Sequence, residues 1–174
     1  IVTMKNANSK IKPVNRQKGL TLIELMVTTI VLAILATVAV PVMKNLFERK
    51  SVFAIGDLFI KSIKLARVEA IQRGKTVRVK TSSGSGDWSQ GWFIEFTDDN
   101  NAIQTIRNFP PLPSNPNFTS NEYDGSPDLT ILPTGQVSSI GTFDLFYPTC
   151  VGNQRLGFNV LLSGLIQKGV TACP

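Results

Sequence analysis

Histidine is absent from the 174 residues, and cysteine occurs only twice. The lack of histidine excludes a Ser-His-Asp triad, a Cys-His dyad and any histidine-based metal site. Two cysteines are too few for a zinc site made of thiolates alone. The carboxylates of Glu95, Asp98 and Asp99 form no pattern typical of general acid–base catalysis. The sequence therefore predicts a protein that is not an enzyme and that holds no cofactor or metal.

Acidic residues are missing from the first 19 positions, which carry five lysine or arginine residues. Met4 is an alternative translation start to Ile1 within this basic leader. Residues 44–80 have a formal charge of +7, whereas residues 81–174 have a formal charge of −5. Most of the net charge of +6 therefore comes from the leader. Without it the chain is close to neutral, so its basic character is weak evidence for nucleic-acid binding.

Charged residues are also missing from positions 25–43, and Glu24 is the only charge in the 21-residue apolar run over 20–40. As a helix this run is about 31 Å long, close to the ~30 Å hydrocarbon core of a bilayer. It is longer than the apolar region of a secretory signal, and no small-residue cleavage site ends it. The basic leader predicts a single-pass anchor with the N-terminus in the cytoplasm.

Glu24 is an unusual residue for such a segment, because a carboxylate at mid-membrane costs roughly 2.5–3.5 kcal/mol. The apolar run contains no lysine or arginine that could pair with it. Cleavage between Gly19 and Leu20 would create an α-amino group four residues before Glu24. We expect this amine, on the same chain or on a neighbour, to pair with Glu24 and to favour docking among similar helices.

Residues 18–25 read KGLTLIEL and resemble the type IV prepilin cleavage motif. The resemblance implies that a prepilin peptidase cuts after Gly19 and methylates the new N-terminus at Leu20, where phenylalanine is the commoner residue. It also implies that Glu24 aligns incoming subunits. Pro41 falls where many pilins have a proline that kinks the helix. The alternative interpretation is a transmembrane anchor that matches the motif by coincidence.

An amphipathic pattern follows over residues 44–73, with apolar residues at steps of three and four. The predicted buried stripe consists of Val52, Ile55, Phe59, Ile63, Ala66 and Ala70. Gly74 is expected to end this helix, and Gly56 inside it costs about 1 kcal/mol relative to alanine. The basic surplus favours a solvated face, or one that meets anionic lipid headgroups, over a DNA-binding stripe.

Residues 66–74 read ARVEAIQRG and are similar to the A-R-x-E-A-x-x-R-G stretch of the GspH/FimT family. This family includes FimT- and FimU-type minor pilins and the H pseudopilin of type II secretion. The resemblance is strongest over 18–41 and moderate over 66–98. It implies an α+β, pilin-like fold in which a long N-terminal helix packs on a mostly antiparallel β-sheet domain.

The C-terminal part predicts strands, which is typical of an α+β domain when they follow one long helix. Alternating or apolar runs place them at 76–81, 92–96, 103–109, 129–132, 143–147, 158–162 and 165–168. Residues 82–91 and the proline-rich residues 110–128 are predicted loops. Residues 98–101 predict a turn, since they lack the glycine and distal glutamate of a calcium-binding EF-hand loop. Gly135 and Gly164 are predicted turn residues.

Three segments are therefore expected: a leader over 1–19, a transmembrane and assembly half-helix over 20–43, and a periplasmic globular domain over 44–174. The globular domain comprises the amphipathic helix over 44–73 and a β-rich part over 76–174. Cys150 and Cys173 would then lie in an oxidising compartment, which favours a disulfide over two buried thiols. A bridge closing 23 residues is worth roughly 3 kcal/mol in chain-entropy terms.

The favoured function is a minor pilin that assembles through its N-terminal helix into a type IV pilus. The resemblance to FimU-type members implies a place in the priming or tip complex. Expected partners are prepilin peptidase, other major and minor pilins, and the bacterial inner membrane before assembly into the fibre. An H-type pseudopilin is one alternative. A DNA-binding minor pilin is another, because FimT-like members are linked to a Gly-Arg-x-Arg motif. The matching residues 164–168 lack both arginines, which leaves Arg155 and Lys168 as candidate phosphate contacts.

Overall fold

The computed structural model describes residues 19–123 and 128–174. The predicted leader lies outside the described residues, except for Gly19. The described elements are helix α1 (Leu22–Arg73), a 3₁₀ turn (Trp88–Gln90), and strands β1 (Val77–Thr81), β2 (Trp92–Thr97), β3 (Ile103–Phe109), β4 (Asn117–Ser120), β5 (Leu129–Ile131), β6 (Gly141–Phe146), β7 (Arg155–Val160) and β8 (Ile166–Thr171).

The chain divides into two compact units, residues 1–40 and residues 41–174. In the described part of the first unit, the apolar side chains are exposed, and the segment is long and apolar enough to cross a membrane. The hydroxyls of Thr28, Thr29 and Thr37 donate to backbone carbonyls three residues earlier, at 2.7–2.9 Å. Their polar groups are thus satisfied within the helix, as a lipid environment requires. Helix α1 continues through residue 41, and the kink at Pro41 stays a prediction.

The buried stripe predicted for the second half of α1 is confirmed, since all six of its side chains are buried. Phe59 is fully buried at the centre of the stripe. Its ring lies 4.7–6.0 Å from five other aromatic rings, those of Trp88, Trp92, Phe118, Phe143 and Phe158. Edge-to-face contacts of this kind add to the free energy gained by burial. Because these rings come from elements of both sheets, Phe59 joins the helix to the whole core.

The strands form two antiparallel sheets of four strands, in the orders β3-β2-β1-β5 and β4-β6-β7-β8. Within β1, the buried Val77 and Val79 alternate with the half-buried Arg78 and Lys80. Successive side chains of a strand point to opposite faces, so this alternation gives each sheet one face for the core. The α+β prediction is confirmed, and the β-rich part consists of two sheets rather than one.

The prediction of an uninterrupted loop over 110–128 is wrong. Strand β4 lies within it and pairs with β6 in antiparallel register, and Phe118 of β4 is fully buried. Four prolines between positions 110 and 116 conceal the short alternating pattern that follows them. A four-residue strand at a sheet edge is compatible with such a sequence, because an edge strand tolerates neighbouring prolines.

The predicted end of the long helix is confirmed. Gly74 has a φ of +62°, in the left-handed region that favours glycine. The backbone N–H of Lys75 donates to the carbonyl of Ala70 at 3.2 Å, which closes the last turn in a Schellman arrangement. Gly135 and Gly164 also lie in turns, as predicted.

Gly56 has a packing role that the sequence did not reveal. A Cβ atom at this position would lie 2.8 Å from Phe158 Cζ and nearer still to Leu156 Cδ2. Both of these side chains are buried in strand β7. The glycine therefore allows the second sheet to approach the helix closely.

We expect Gly56→Ala to lower the free energy of unfolding, although alanine is the better helix former. Helix propensity favours the variant by about 1 kcal/mol, whereas overpacking a filled core costs about 1–3 kcal/mol. Denaturant unfolding of the full chain in detergent, followed by tryptophan fluorescence, measures the balance. Ala54→Gly on the exposed face of α1 is the matched control, which should lose only the propensity contribution. A gain in stability for Gly56→Ala would contradict the close-approach role.

Candidate functional site

Helix α1 begins immediately after the predicted cleavage position. Thr21 caps the helix, since its Oγ1 accepts a hydrogen bond from the backbone N–H of Glu24 at 3.2 Å. Gly19 and Leu20 precede the helix, and both are exposed. Both residues of the predicted cleavage position are therefore uncovered by the rest of the described chain, while Lys18 of the motif lies outside the described residues.

Glu24 lies in the first turn of α1, and its side chain is exposed. A carboxylate there interacts favourably with the positive end of the helix dipole. Among the ion pairs of the described ranges, none involves Glu24. The arrangement is compatible with pairing to an α-amino group created at Leu20, and that role stays a prediction.

The predicted disulfide is confirmed. Cys150 and Cys173 are bridged, with their Cα atoms 5.9 Å apart, as is usual for disulfides. Next to the bridge, the backbone N–H of Cys173 donates to the carbonyl of Gly152 at 2.8 Å. The tail after β8 is thus fastened to the loop between β6 and β7.

That loop is in turn attached to the start of the amphipathic helix. Thr149 Oγ1 donates to Glu48 Oε2 at 2.6 Å, and the hydroxyls of Tyr147 and Ser51 share a hydrogen bond of 2.9 Å. Lys44 Nζ lies 3.8 Å from the other carboxylate oxygen of Glu48. Sequence reasoning missed this arrangement, because the partners lie about a hundred positions apart and no local pattern joins them.

The two candidate DNA contacts lie apart. Arg155 pairs with Asp144 through two nitrogens, at 2.9 and 2.8 Å, and Lys168 pairs with Asp57 at 2.7 Å. Lys168 is opposite the buried Phe158 and therefore points to the helix side of its sheet, whereas Arg155 lies on the outer face.

These ion pairs also affect titration. Hydrogen bonding to Lys168 lowers the pKa of the Asp57 carboxyl. The hydrogen bonds to Asp144 raise the pKa of Arg155. Both cations are already paired and face opposite ways, so they do not form one phosphate-binding surface, and DNA binding stays an untested prediction.

The turn predicted over residues 98–101 is present. Asp98 Oδ1 accepts hydrogen bonds from the backbone N–H groups of Asn100 and Ala102, each at 2.9 Å. The bond from Ala102 contributes most to holding the pKa of Asp98 below its ordinary value. These hydrogen bonds give Asp98 a structural role, in which its carboxylate caps backbone N–H groups of its own turn.

Comparison with known protein families agrees with this organisation. Residues 57–164 match the family described as type II transport protein GspH, and residues 14–40 match the prokaryotic N-terminal methylation motif. The chain belongs to the GspH family. A GspH-family chain with this motif is a minor pilin or pseudopilin, which confirms the predicted family. No curated protein matches the chain in a sequence search.

Solved structures show the same fold. The type IV minor pilin FimU of Pseudomonas aeruginosa matches with 18% identity and a TM-score of 0.58, over 72% of this chain and 95% of that one. The minor pseudopilin EpsH of the Vibrio cholerae type 2 secretion system matches with 15% identity and a TM-score of 0.54, over 69% of this chain and 97% of that one. At these identities the likeness shows the pilin-like fold of this GspH-family chain.

Proposed function

We propose that the chain is a minor pilin, cut between Gly19 and Leu20, that assembles through the apolar half of α1 into a type IV pilus. The observation that carries the proposal is the coexistence of two features in one chain. An N-terminal methylation motif covers residues 14–40, and a GspH domain covers residues 57–164. The first feature supports processing and assembly, and the second supports a place among the minor subunits.

The three segments then have separate tasks. The leader over 1–19 holds the N-terminus in the cytoplasm until prepilin peptidase removes it and methylates Leu20. Residues 20–43 anchor the chain in the inner membrane and later lie among the helices of the fibre. The globular domain over 44–174 stands in the periplasm and contacts other major and minor pilins, in the priming or tip complex. No chemistry takes place on the chain apart from its own processing.

The second candidate function is that of an H-type pseudopilin in a type II secretion system. The family description and the fold shared with EpsH favour it. Processing and the role of the N-terminal helix are the same in both cases. The two candidates differ only in the fibre that the mature chain enters.

Two measurements on the native organism test the proposal. Mass spectrometry of the protein isolated from membranes and from sheared fibres should find an N-terminus at Leu20 that carries one added methyl group. Antibodies against the globular domain should detect the chain in sheared pili. A chain that begins before position 20 would refute processing. Absence from pili, combined with loss of type II secretion in a deletion strain, would establish the pseudopilin function instead.

A further inference from the structure

One end of the globular unit combines exposed apolar side chains with exposed cations. Leu46, Phe47 and Val151 are 44%, 62% and 63% exposed. Nearby on α1 lie the exposed cations Lys44, Arg49 and Lys50. We name this set of six residues the basal surface. Glu48 is the only acidic residue between positions 41 and 56.

Val151 belongs to the basal surface because its loop is fastened on both sides. The hydrogen bond between Thr149 and Glu48 attaches the loop to α1 two residues before Val151. The neighbouring Cys150 is bridged to Cys173, whose backbone N–H donates to Gly152 just after Val151. The backbone on both sides of Val151 is thus fixed relative to Glu48, the neighbour of Phe47, and exposed apolar residues grouped on one surface indicate a contact site.

The position of the basal surface in the sequence indicates what it contacts. The apolar run ends at residue 40, and a helix rises 1.5 Å per residue. Measured along the helix, Lys44 therefore lies about 6 Å beyond the end of the hydrocarbon core, and Lys50 lies about 15 Å beyond it. The headgroup layer of a bilayer extends over roughly the first half of those 15 Å.

The charges of the basal surface complement an anionic membrane. The basal surface carries three cations, and the one acidic residue near them in the sequence is Glu48. Glu48 already accepts a hydrogen bond from Thr149 and forms an ion pair with Lys44. Basic residues next to a membrane span are attracted to anionic lipids over about a Debye length. Exposed apolar side chains beside them can insert at the boundary between headgroups and acyl chains.

We propose that, before assembly, the basal surface docks on the anionic headgroups of the bilayer that anchors the chain. Phe47 and Val151 enter the interface, and Lys44 pairs with lipid phosphates. Arg49 and Lys50 lie beyond the headgroup layer and are attracted to the same phosphates within about a Debye length. Docking holds the globular unit in one orientation at the membrane. The proposal rests on the membrane anchoring proposed above.

Tryptophan fluorescence of the full chain in lipid vesicles tests this docking. Trp88 and Trp92 are 1% and 0% exposed, so they give a constant background. In vesicles containing phosphatidylglycerol, a headgroup spin label should quench the added fluorescence of Val151→Trp, because docking places this side chain at the boundary between headgroups and acyl chains. Ile140→Trp is the matched control: position 140 is 61% exposed but lies at the opposite end of β6, about 20 Å away. Its fluorescence should not change.

Three further outcomes decide the proposal. Replacing Lys44, Arg49 and Lys50 together by glutamine should reduce the quenching of Val151→Trp to the level seen in zwitterionic vesicles. If Val151→Trp with its cations intact is quenched equally in anionic and zwitterionic vesicles, electrostatic docking is overturned. Absence of quenching, in chains that still float with vesicles after an alkaline wash, would overturn docking but leave anchoring intact. Chains that do not float would contradict the anchoring itself. A signal that appears only at high protein density would identify a second copy as the partner and overturn docking on lipid.

Discussion

Gly19→Ala is expected to leave the leader on the chain and to abolish incorporation into fibres. The peptidase must accept the residue before the cut, and the resemblance to prepilins places Gly19 there. Without cleavage, no α-amino group forms at Leu20, so there is nothing to methylate and nothing for Glu24 to pair with. Intact-mass measurement of the membrane-extracted protein should show the full leader mass, where the wild type shows the processed chain.

The variant is informative because alanine at position 19 disturbs nothing else in the described chain. Apart from the two chain neighbours, no atom of the described residues would lie within 4 Å of a Cβ there, so a processing defect reports recognition rather than misfolding. Gly169→Ala is the matched control, since a Cβ at that position also meets nothing within 4 Å. We expect this control to be processed and assembled normally. An unchanged mature mass for Gly19→Ala would rule out the cleavage assignment.

Local patterns predicted the helix because its signals are local. The buried stripe repeats every three or four residues, and Gly74 ends the last turn through bonds within five residues. The same reasoning assigned Gly56 only a propensity penalty. The packing role of Gly56 depends on its contacts with Leu156 and Phe158, about a hundred positions away. No local pattern in the sequence connects these residues to Gly56. Strand β4 was missed for a similar reason, because its identity as a strand depends on pairing with β6.

The same distinction between local and long-range information applies to the candidate sites. The cleavage motif is a short continuous stretch, so the sequence alone identifies it. Whether Arg155 and Lys168 lie on the same face of the sheet depends on strand register. A shift of one residue in register moves every side chain of a strand to the other face. Strand β7 begins three residues earlier than predicted, and β8 ends three residues later. Only the paired register shows that the two cations point to opposite sides of the sheet.

Glu24→Gln is expected to leave membrane insertion and processing intact and to reduce incorporation into the fibre by roughly 100-fold or more. Glutamine keeps the size of the side chain but removes the charge that pairs with the α-amino group. Leaving one member of a buried ion pair alone costs about 3–5 kcal/mol. Insertion should not suffer, because a neutral residue enters the bilayer more readily than a carboxylate. Glu24→Leu should insert at least as well and assemble as poorly.

Quantitative mass spectrometry of sheared fibres and membranes from the same cells gives the ratio of assembled to unassembled chain. Thr28→Val is the matched control, since Thr28 lies one turn further along the same helix and its hydroxyl donates only to the carbonyl of Leu25. Losing that internal bond should barely change the ratio. If Glu24→Gln entered fibres like the control, helix packing alone would have to drive assembly. A selective loss, with a normal N-terminus at Leu20, would assign the assembly step to the pairing of Glu24 with the amine that cleavage creates.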